Sequence, residues 1–349
     1  MTALVDETPA PVRRPHLRGV GRPAGLLVVL GVLAVVCFLS ISLGSRGMTL
    51  GVVLDAFTGF DPDDPAHVVV RDLRVPRTIL GLTVGAALGL SGTILQGLTR
   101  NPLADPGIMG INAGAAAFIV VGVSLLDLQG LAATVWFGFA GAAAATVLVY
   151  SVASFGREGA TPVKLALAGA AVTAGMFSIT SAVIMTDLAA LNELRFWQVG
   201  SLAGRYQPVV EQTVPFMVLG IVLALGTGRV LNGLALGEDV AAALGQRVRL
   251  SRITLFAVVA VLCGAAVAAC GPIVFVGLIV PHVARLLCGP DYRWILAYAL
   301  LISPIVLLVA DIVGRVVVSP GELQVGVVLG VLGAPAFIAL VRAKNVVQL

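Results

Sequence analysis

Long apolar stretches alternate with short polar ones along the whole chain. Ten of the stretches approach the length of about 20 residues that an α-helix needs to cross a bilayer. They run over 24–44, 78–98, 107–126, 131–155, 162–187, 210–231, 251–270, 272–288, 294–317 and 323–342. The pattern predicts an all-α polytopic membrane protein with ten transmembrane helices. The segments 107–126 and 272–288 are short or broken by Gly and Pro. Three polar stretches carry patterns of their own. In Ser45–Val75, the residues Leu50, Val53, Leu54 and Phe57 recur at helical spacing. That spacing predicts a short amphipathic helix lying on the membrane surface. The stretch from Leu188 to Val209 supplies Phe196, Trp197 and Tyr206 as aromatic anchors for the interface. The third stretch runs from Asn232 to Leu250.

Composition narrows the class. Hydrophobic residues make up 58% of the 349, only 11% are charged, and the mean hydropathy is +1.04. A soluble domain has about 25% charged residues. An ordinary cytosolic enzyme, a nucleic-acid binder and a disordered chain are excluded. Arg13, Arg14, Arg18 and Arg22 precede the first apolar run. That run exceeds the roughly 7–15 residues of a signal-peptide core, so it reads as the first membrane helix behind a tail at 1–23. With ten spans the termini share a side. Fifteen of the 22 Lys and Arg residues fall on that side, against seven of the 18 acids. The positive-inside bias places both termini in the cytoplasm. Residues 24–345 read as one transmembrane domain, followed by a tail at 346–349. Cys37, Cys263, Cys270 and Cys288 lie far apart in apolar runs and read as buried thiols.

Small residues at four-residue spacing let helix backbones approach closely. Gly81, Gly85 and Gly89 repeat in this way in the second span, and Gly326 and Gly330 in the tenth. Spans two to five run opposite to spans seven to ten, as an inverted repeat would.

Catalytic chemistry is not apparent. The two lysines, Lys164 and Lys344, do not follow a glycine, so no phosphate-binding loop is present. His16, His67 and His282 are scattered, and no cluster has the spacing of metal ligands. Intramembrane charge is nearly missing. Asp311 and Arg315 stand four apart in the favourable order for a helical ion pair. A carrier powered by ions usually keeps acids or His inside its spans. Energy for transport must therefore come from a partner, or transport is passive. In Gly237–Gly245, Glu238 and Asp239 match the positive end of a short helix and Gly245 suits its end. Val240 and Leu244 give that helix one apolar stripe. It reads either as a docking element for a soluble partner or as a loop helix on the membrane surface.

Four motifs in order carry a family resemblance. They are Arg74-Val-Pro-Arg77 with Arg100-Asn-Pro-Leu-Ala-Asp-Pro-Gly, the segment Leu236–Gly245, the run from Gly271 to Arg285, and Ala310-Asp-Ile-Val-Gly-Arg315 through Pro-Gly-Glu-Leu to Pro335. The chain resembles the FecCD-type permeases, the membrane subunits of ATP-binding-cassette (ABC) importers for ferric siderophores, haem and vitamin B12. The stretch Leu194–Leu202 with Pro-Gly-Glu-Leu is more similar to the enterobactin-type members than to the vitamin B12 ones.

The resemblance implies a type II ABC importer permease that works by alternating access. Its implied partners are a second permease subunit (a heterodimer rather than a homodimer), two cytoplasmic ATPases that hold ATP and Mg, and an extracytoplasmic siderophore-binding protein. The cargo it implies is a ferric siderophore, with vitamin B12 or haem as the alternative and an ion-coupled secondary transporter further off. The chain itself would hold no cofactor or metal and have no catalytic residue. ATPase coupling is implied for Gly237, Glu238, Asp239, Val240, Ala241, Leu244 and Gly245, and docking of the binding protein for Arg74, Arg77 and Arg315. A cytoplasmic gate is implied at Asn101, Leu103, Thr161, Pro162 and Val163. Pro162 and Val163 replace the Thr and Ser of vitamin B12-type members, which makes that gate more apolar and stiffer. The fifth and tenth spans would line a pore between the two subunits, with Thr173, Thr180 and Ser181 facing it.

Overall fold

The computed structural model describes residues 21–44, 47–128, 130–156, 161–205 and 207–342. Most of the N-terminal tail, the tail at 346–349 and Tyr206 lie outside the described residues. The helices follow in order: α1 Arg22–Ser42, α2 Leu50–Thr58, α3 Pro65–Val68, α4 Val75–Thr99, α5 Ile111–Leu126, α6 Leu131–Ala153, α7 Pro162–Ile184 and α8 Leu188–Gln198. After them come α9 Gln207–Gly226, α10 Gly228–Ala235, α11 Glu238–Ala243, α12 Val248–Cys270, α13 Val276–Cys288, α14 Tyr292–Val317 and α15 Val325–Arg342. A π-helical turn at Val69–Arg74 joins α3 to α4. Among the described residues, seven helices are long and apolar enough to cross a membrane, and α5, α13 and the apolar part of α15 are three shorter ones. These ten follow the order of the ten segments read from the sequence.

The centre of the bundle is α4. Every residue from Val84 to Thr99 is buried. It is packed on several sides by α14, α12, α13 and α9. Small residues make this enclosure possible. A Cβ on Gly85 would stand 2.6 Å from the Cα of Pro304 on α14. A Cβ on Gly92 would stand 2.6 Å from the Cα of Gly277 on α13 and collide with its carbonyl. Gly81 and Gly89 meet Leu308 and Ser303 in the same contact, so the spacing of three glycines marks the α4–α14 seam. Gly326 packs on the backbone of Val199 and Gly200, whereas Gly330 has nothing within 4 Å.

The structure shortens the two interrupted spans. Helix α12 stops at Gly271, whose φ of +74° no ordinary side chain adopts readily. The chain then runs without helix to Phe275, and α13 begins beside Gly92, deep along α4. On the other side, α4 ends with Arg100 in the left-handed region at φ +50°. The loop after it turns inward. Pro106 Cδ comes within 3.5 Å of the Cβ position of Gly277. A 3₁₀ turn at Pro106–Met109, capped by Asp105, leads to Gly110 at φ +68° and the start of α5. The turn that leads into α5 thus meets the start of α13, and both helices are shorter than a full span. The sequence pattern placed them at 107–126 and 272–288, the two segments that are short or broken by Gly and Pro.

The surface helix appears as α2. Val53 and Ala56 are buried with Val70 in a small cluster, while Leu50, Leu54 and Phe57 stay about half exposed on its outer side. Of the proposed aromatic anchors, Phe196 is exposed. Trp197 is not an anchor. It is buried, because Gly271 and Gly200 bring the backbone after α12 onto the end of α8.

Candidate functional site

Chain direction places α10, α11 and the Asn101 turn at one end of the bundle, and α2, α3 and α8 at the other. At the first end, Gly237 at φ +106° and Gly245 at φ +84° bracket α11. Both conformations favour glycine, so a helix of only six residues can be held between sharp turns. Ala241 is fully buried and fixes the inner side. Leu236, Val240 and Leu244 point outward, at 64%, 45% and 67% exposure. The outer side is therefore an unpartnered apolar face on a helix with acidic residues in its first turn. Glu238 forms an ion pair with Arg252 of α12, which locks the orientation of α11 to that span.

Two further contacts tie this end together. Asn232 on α10 donates to Asp291 Oδ1 at 2.7 Å and accepts from the Tyr292 amide at 2.9 Å. Asp291 also caps α14 and pairs with Arg293. The Arg293 hydrogen bond, helped by Asn232, holds its carboxyl at about 2, well below the usual carboxylate range. Arg100, at the end of α4, brings its Nη1 to 3.8 Å from the Cβ position of Gly237. The central helix therefore ends against the entry to α11.

The expected gate residues lie at this same end. Asn101 Oδ1 accepts from the Leu103 amide at 2.9 Å, a self-contained turn. Thr161 caps α7 by accepting from the Lys164 amide, Pro162 opens the helix, and Val163 is exposed.

At the other end, charges gather between helices. Arg77 gives Nε and Nη2 to Asp311, the latter at 2.8 Å, and Nη1 to Glu322 at 2.8 Å. The Asp311–Arg315 pair read from the sequence is present at 3.2 Å, and Asp311 is fully buried. Two of the three expected docking arginines are not free surface charges. Arg74 donates to the carbonyls of Ile41 and Ser42, and Arg315 to those of Ser40 and Leu43. Helix α1 ends here, and its last carbonyls need donors. Arg74 and Arg315 are 6% and 2% exposed. Arg77 keeps more of its side chain accessible, at 13%.

Several helices present uncovered apolar faces, α1, α7, α9 and α15 among them. In α7, only Leu165, Ala168, Gly169 and Thr180 are buried. Val327, Val331, Leu332 and Ile338 of α15 are exposed. Of the polar residues expected on the open side of α7, Thr173 and Ser181 are half-buried. Thr180 is turned inward and donates to the Met176 carbonyl, so it belongs to the packed side. Ser178 is the hydroxyl that lies on the exposed side.

A family model described as the FecCD transport family matches residues 32–343. The chain belongs to the FecCD transport family. It is 44% identical over 322 residues to the ferric enterobactin transport system permease protein FepD of Escherichia coli, covering 92% of this chain and 95% of that one. It is 39% identical over 326 residues to the iron(3+)-hydroxamate import system permease protein FhuB of Bacillus subtilis, covering 92% and 84%. A solved structure described as an inward-facing metal-chelate type ABC transporter superposes with a TM-score of 0.79 at 27% identity, over 91% of this chain and 99% of that one. As a FecCD permease the chain is a multi-pass membrane transport subunit, not an enzyme.

Several residues that shape this FecCD permease carried little sequence signal. Glu322 lies within Pro-Gly-Glu-Leu, but its partner Arg77 is far off in sequence. Arg252 and Asp291 each sit a few residues from a span boundary, and only folding shows what they meet.

Proposed function

We propose that this FecCD permease imports a ferric siderophore across the cytoplasmic membrane by alternating access, powered by two partner ATPases that hold ATP and Mg. In this reading residues 24–345 form one permease domain, both termini are cytoplasmic, and α11 faces the ATPases. The observation that carries it is the outward apolar face of Leu236, Val240 and Leu244 on a glycine-bracketed helix locked to α12 through Glu238. Exposed apolar side chains on a small rigid element mark a docking site for a protein partner. Arg100 beside Gly237 gives movement of α11 a direct route to the central helix and to the gate residues Asn101 and Leu103. Thr161, Pro162 and Val163 supply the other side of that gate.

The open faces of α7 and α15 suit a second permease subunit, with the pore between the two chains. A different second subunit is favoured over a second copy. Thr173 and Ser181 would line that pore, joined by Ser178. With no acid in that face, the cargo keeps its own iron ligands. The relatives named for enterobactin and hydroxamate transport support an iron chelate as cargo. The outer arginine cluster around Arg77 supports docking of an extracytoplasmic binding protein, with Arg74 and Arg315 holding the surface in shape.

Uptake of ⁵⁵Fe-labelled siderophores into a strain lacking this chain tests the cargo. Restored uptake by the plasmid-borne chain is expected. Restored uptake of cobalamin or haem, with none of the iron chelates, would overturn the assignment.

A further inference from the structure

Helix α13 carries a buried cation near its cytoplasmic end, Arg285. Its Nη1 donates to Gln96 Oε1 on α4 at 2.8 Å. The Nε2 of the same amide reaches the carbonyls of Gly277 and Leu278 at 3.3 Å each. Pro281 explains why the Gly277 carbonyl needs this donor. It stands four residues on, inside α13, and has no N–H to give back. Gln96 therefore stands in for a missing helical bond, and Arg285 fixes which way the amide points. Among the described residues no acid forms an ion pair with Arg285. Asp291, just beyond α13, has its carboxylate taken by Asn232 and Arg293. Arg285 Nε and Nη2 have no hydrogen-bond partner among the described residues. An arginine inside a span is expensive and marks a functional position. An apolar side chain packed in its place would hold two helices at least as firmly, so stability alone does not account for Arg285.

The surroundings of Arg285 show what it connects. Its guanidinium carbon lies 5.8 Å from the centre of the Tyr292 ring. That ring packs on Gly97, whose Cβ position is 2.8 Å from Cε1, and the Tyr292 amide donates to Asn232 on α10. One turn beyond Gln96, Arg100 reaches the entry to α11. On the far side of the clasp, Gly277 faces Pro106, in the loop that leads from the gate residues Asn101 and Leu103 to α5. We infer that Arg285 is a positioning residue for transport: through Gln96 it ties the start of α13 to the last turns of α4, so that movement of α11 reaches the gate loop. This role depends on α11 being the coupling element, as proposed above, and supplies the internal link between that element and the gate.

The test is the ratio of ATP hydrolysed to iron imported in proteoliposomes holding the complete transporter. The cargo is the ⁵⁵Fe-labelled siderophore taken up by the complemented strain. Arg285→Gln, Arg285→Lys, Gln96→Asn and the double variant Arg285→Gln/Gln96→Asn stand beside wild type. Gln96→Asn is one methylene shorter and cannot span from Arg285 to the Gly277 carbonyl. It keeps the site polar, so it decides the question if Arg285→Gln does not assemble. The ratio should rise about fivefold or more in Arg285→Gln and Gln96→Asn, by less in Arg285→Lys, and no further in the double variant, because residues that act as a unit are not additive. Melting temperatures near wild type and a fully retained ATPase should accompany the rise. A wild-type ratio in Gln96→Asn would overturn the assignment, as would uptake and hydrolysis that fall in step with the melting temperature, since the clasp would then only hold the fold. Wild-type coupling in Val240→Glu/Leu244→Glu, on the exposed face of α11, would remove α11 as the coupling element and this role with it.

Discussion

Arg77 on α4 holds Asp311 on α14 through Nε at 3.0 Å and Nη2 at 2.8 Å, with Asp311 fully buried. Arg315 approaches the same carboxylate at 3.2 Å from the next turn of α14. One buried acid thus serves two arginines, and Arg315 in turn secures the end of α1. Removing one member of a buried charge network leaves the others uncompensated, at a cost of about 3–5 kcal/mol. Asp311→Asn should therefore lower the melting temperature of the purified chain strongly. Glu322→Gln at the exposed side of the same cluster should cost no more than about 1 kcal/mol. Equal effects of the two substitutions in a thermal melt would contradict this ranking.

The α4–α13 crossing makes a second prediction. A methyl group at Gly92 runs into the Gly277 backbone, which has no side chain to move aside. Gly92→Ala should sharply reduce the yield of monodisperse protein in detergent. Gly330→Ala, at a position with nothing within 4 Å, should leave that yield unchanged. The comparison is read by size-exclusion profiles of the two variants expressed side by side.

Asp291 provides a pH signature. Its folded pKa of about 2 lies below the ordinary carboxylate value of 3.8. The unfolded chain therefore binds the proton first, and stability from this group is present above about pH 4. It is lost as pH falls through about 2. Wild type should melt above Asp291→Asn by a constant margin at pH 5 to 8, and the margin should close as pH drops towards 2. A margin that grows on acidification would show that the cap formed with Asn232 and Arg293 is not what stabilises the start of α14.

Much of this architecture was legible in the sequence because lipid leaves few options for the backbone. The ten apolar segments, the amphipathic α2 and the Asp311–Arg315 pair all rest on local periodicity. The glycine spacing of α4 announced a close seam, and Pro304 and Ser303 supply the other side of it. What periodicity could not show was depth. Gly271, Phe275 and Gly110 set where α13 and α5 begin, and their positive φ angles are consequences of tertiary packing. The candidate site divided in the same way. The capped helix at Gly237–Gly245 was visible from its acids and glycines, and its outward apolar face is Leu236, Val240 and Leu244. The fates of Arg74 and Arg315 were not visible, because the carbonyls that bury them come from the end of α1. Thr180 shared a helical face with Thr173 by spacing, yet Thr180 is buried and Thr173 only half-buried, while Phe177, Ser178 and Ile179 beside Thr180 stay exposed.

Coupling through α11 admits a clean perturbation. Charge reversal of Glu238 with Asp239 should uncouple hydrolysis from import, but it also breaks the internal pair of Glu238 with Arg252. Val240→Glu with Leu244→Glu touches only the exposed face and leaves Ala241 and the Glu238 pair in place. The decisive measurement is ATP-driven uptake of a ferric siderophore in proteoliposomes holding the complete transporter, wild type against Val240→Glu/Leu244→Glu, with co-purification of the ATPase recorded alongside. Loss of uptake together with loss of the bound ATPase, in a double variant that melts like wild type, is the predicted result. Wild-type uptake and a fully retained ATPase in that variant would contradict the assignment of α11 as the coupling element.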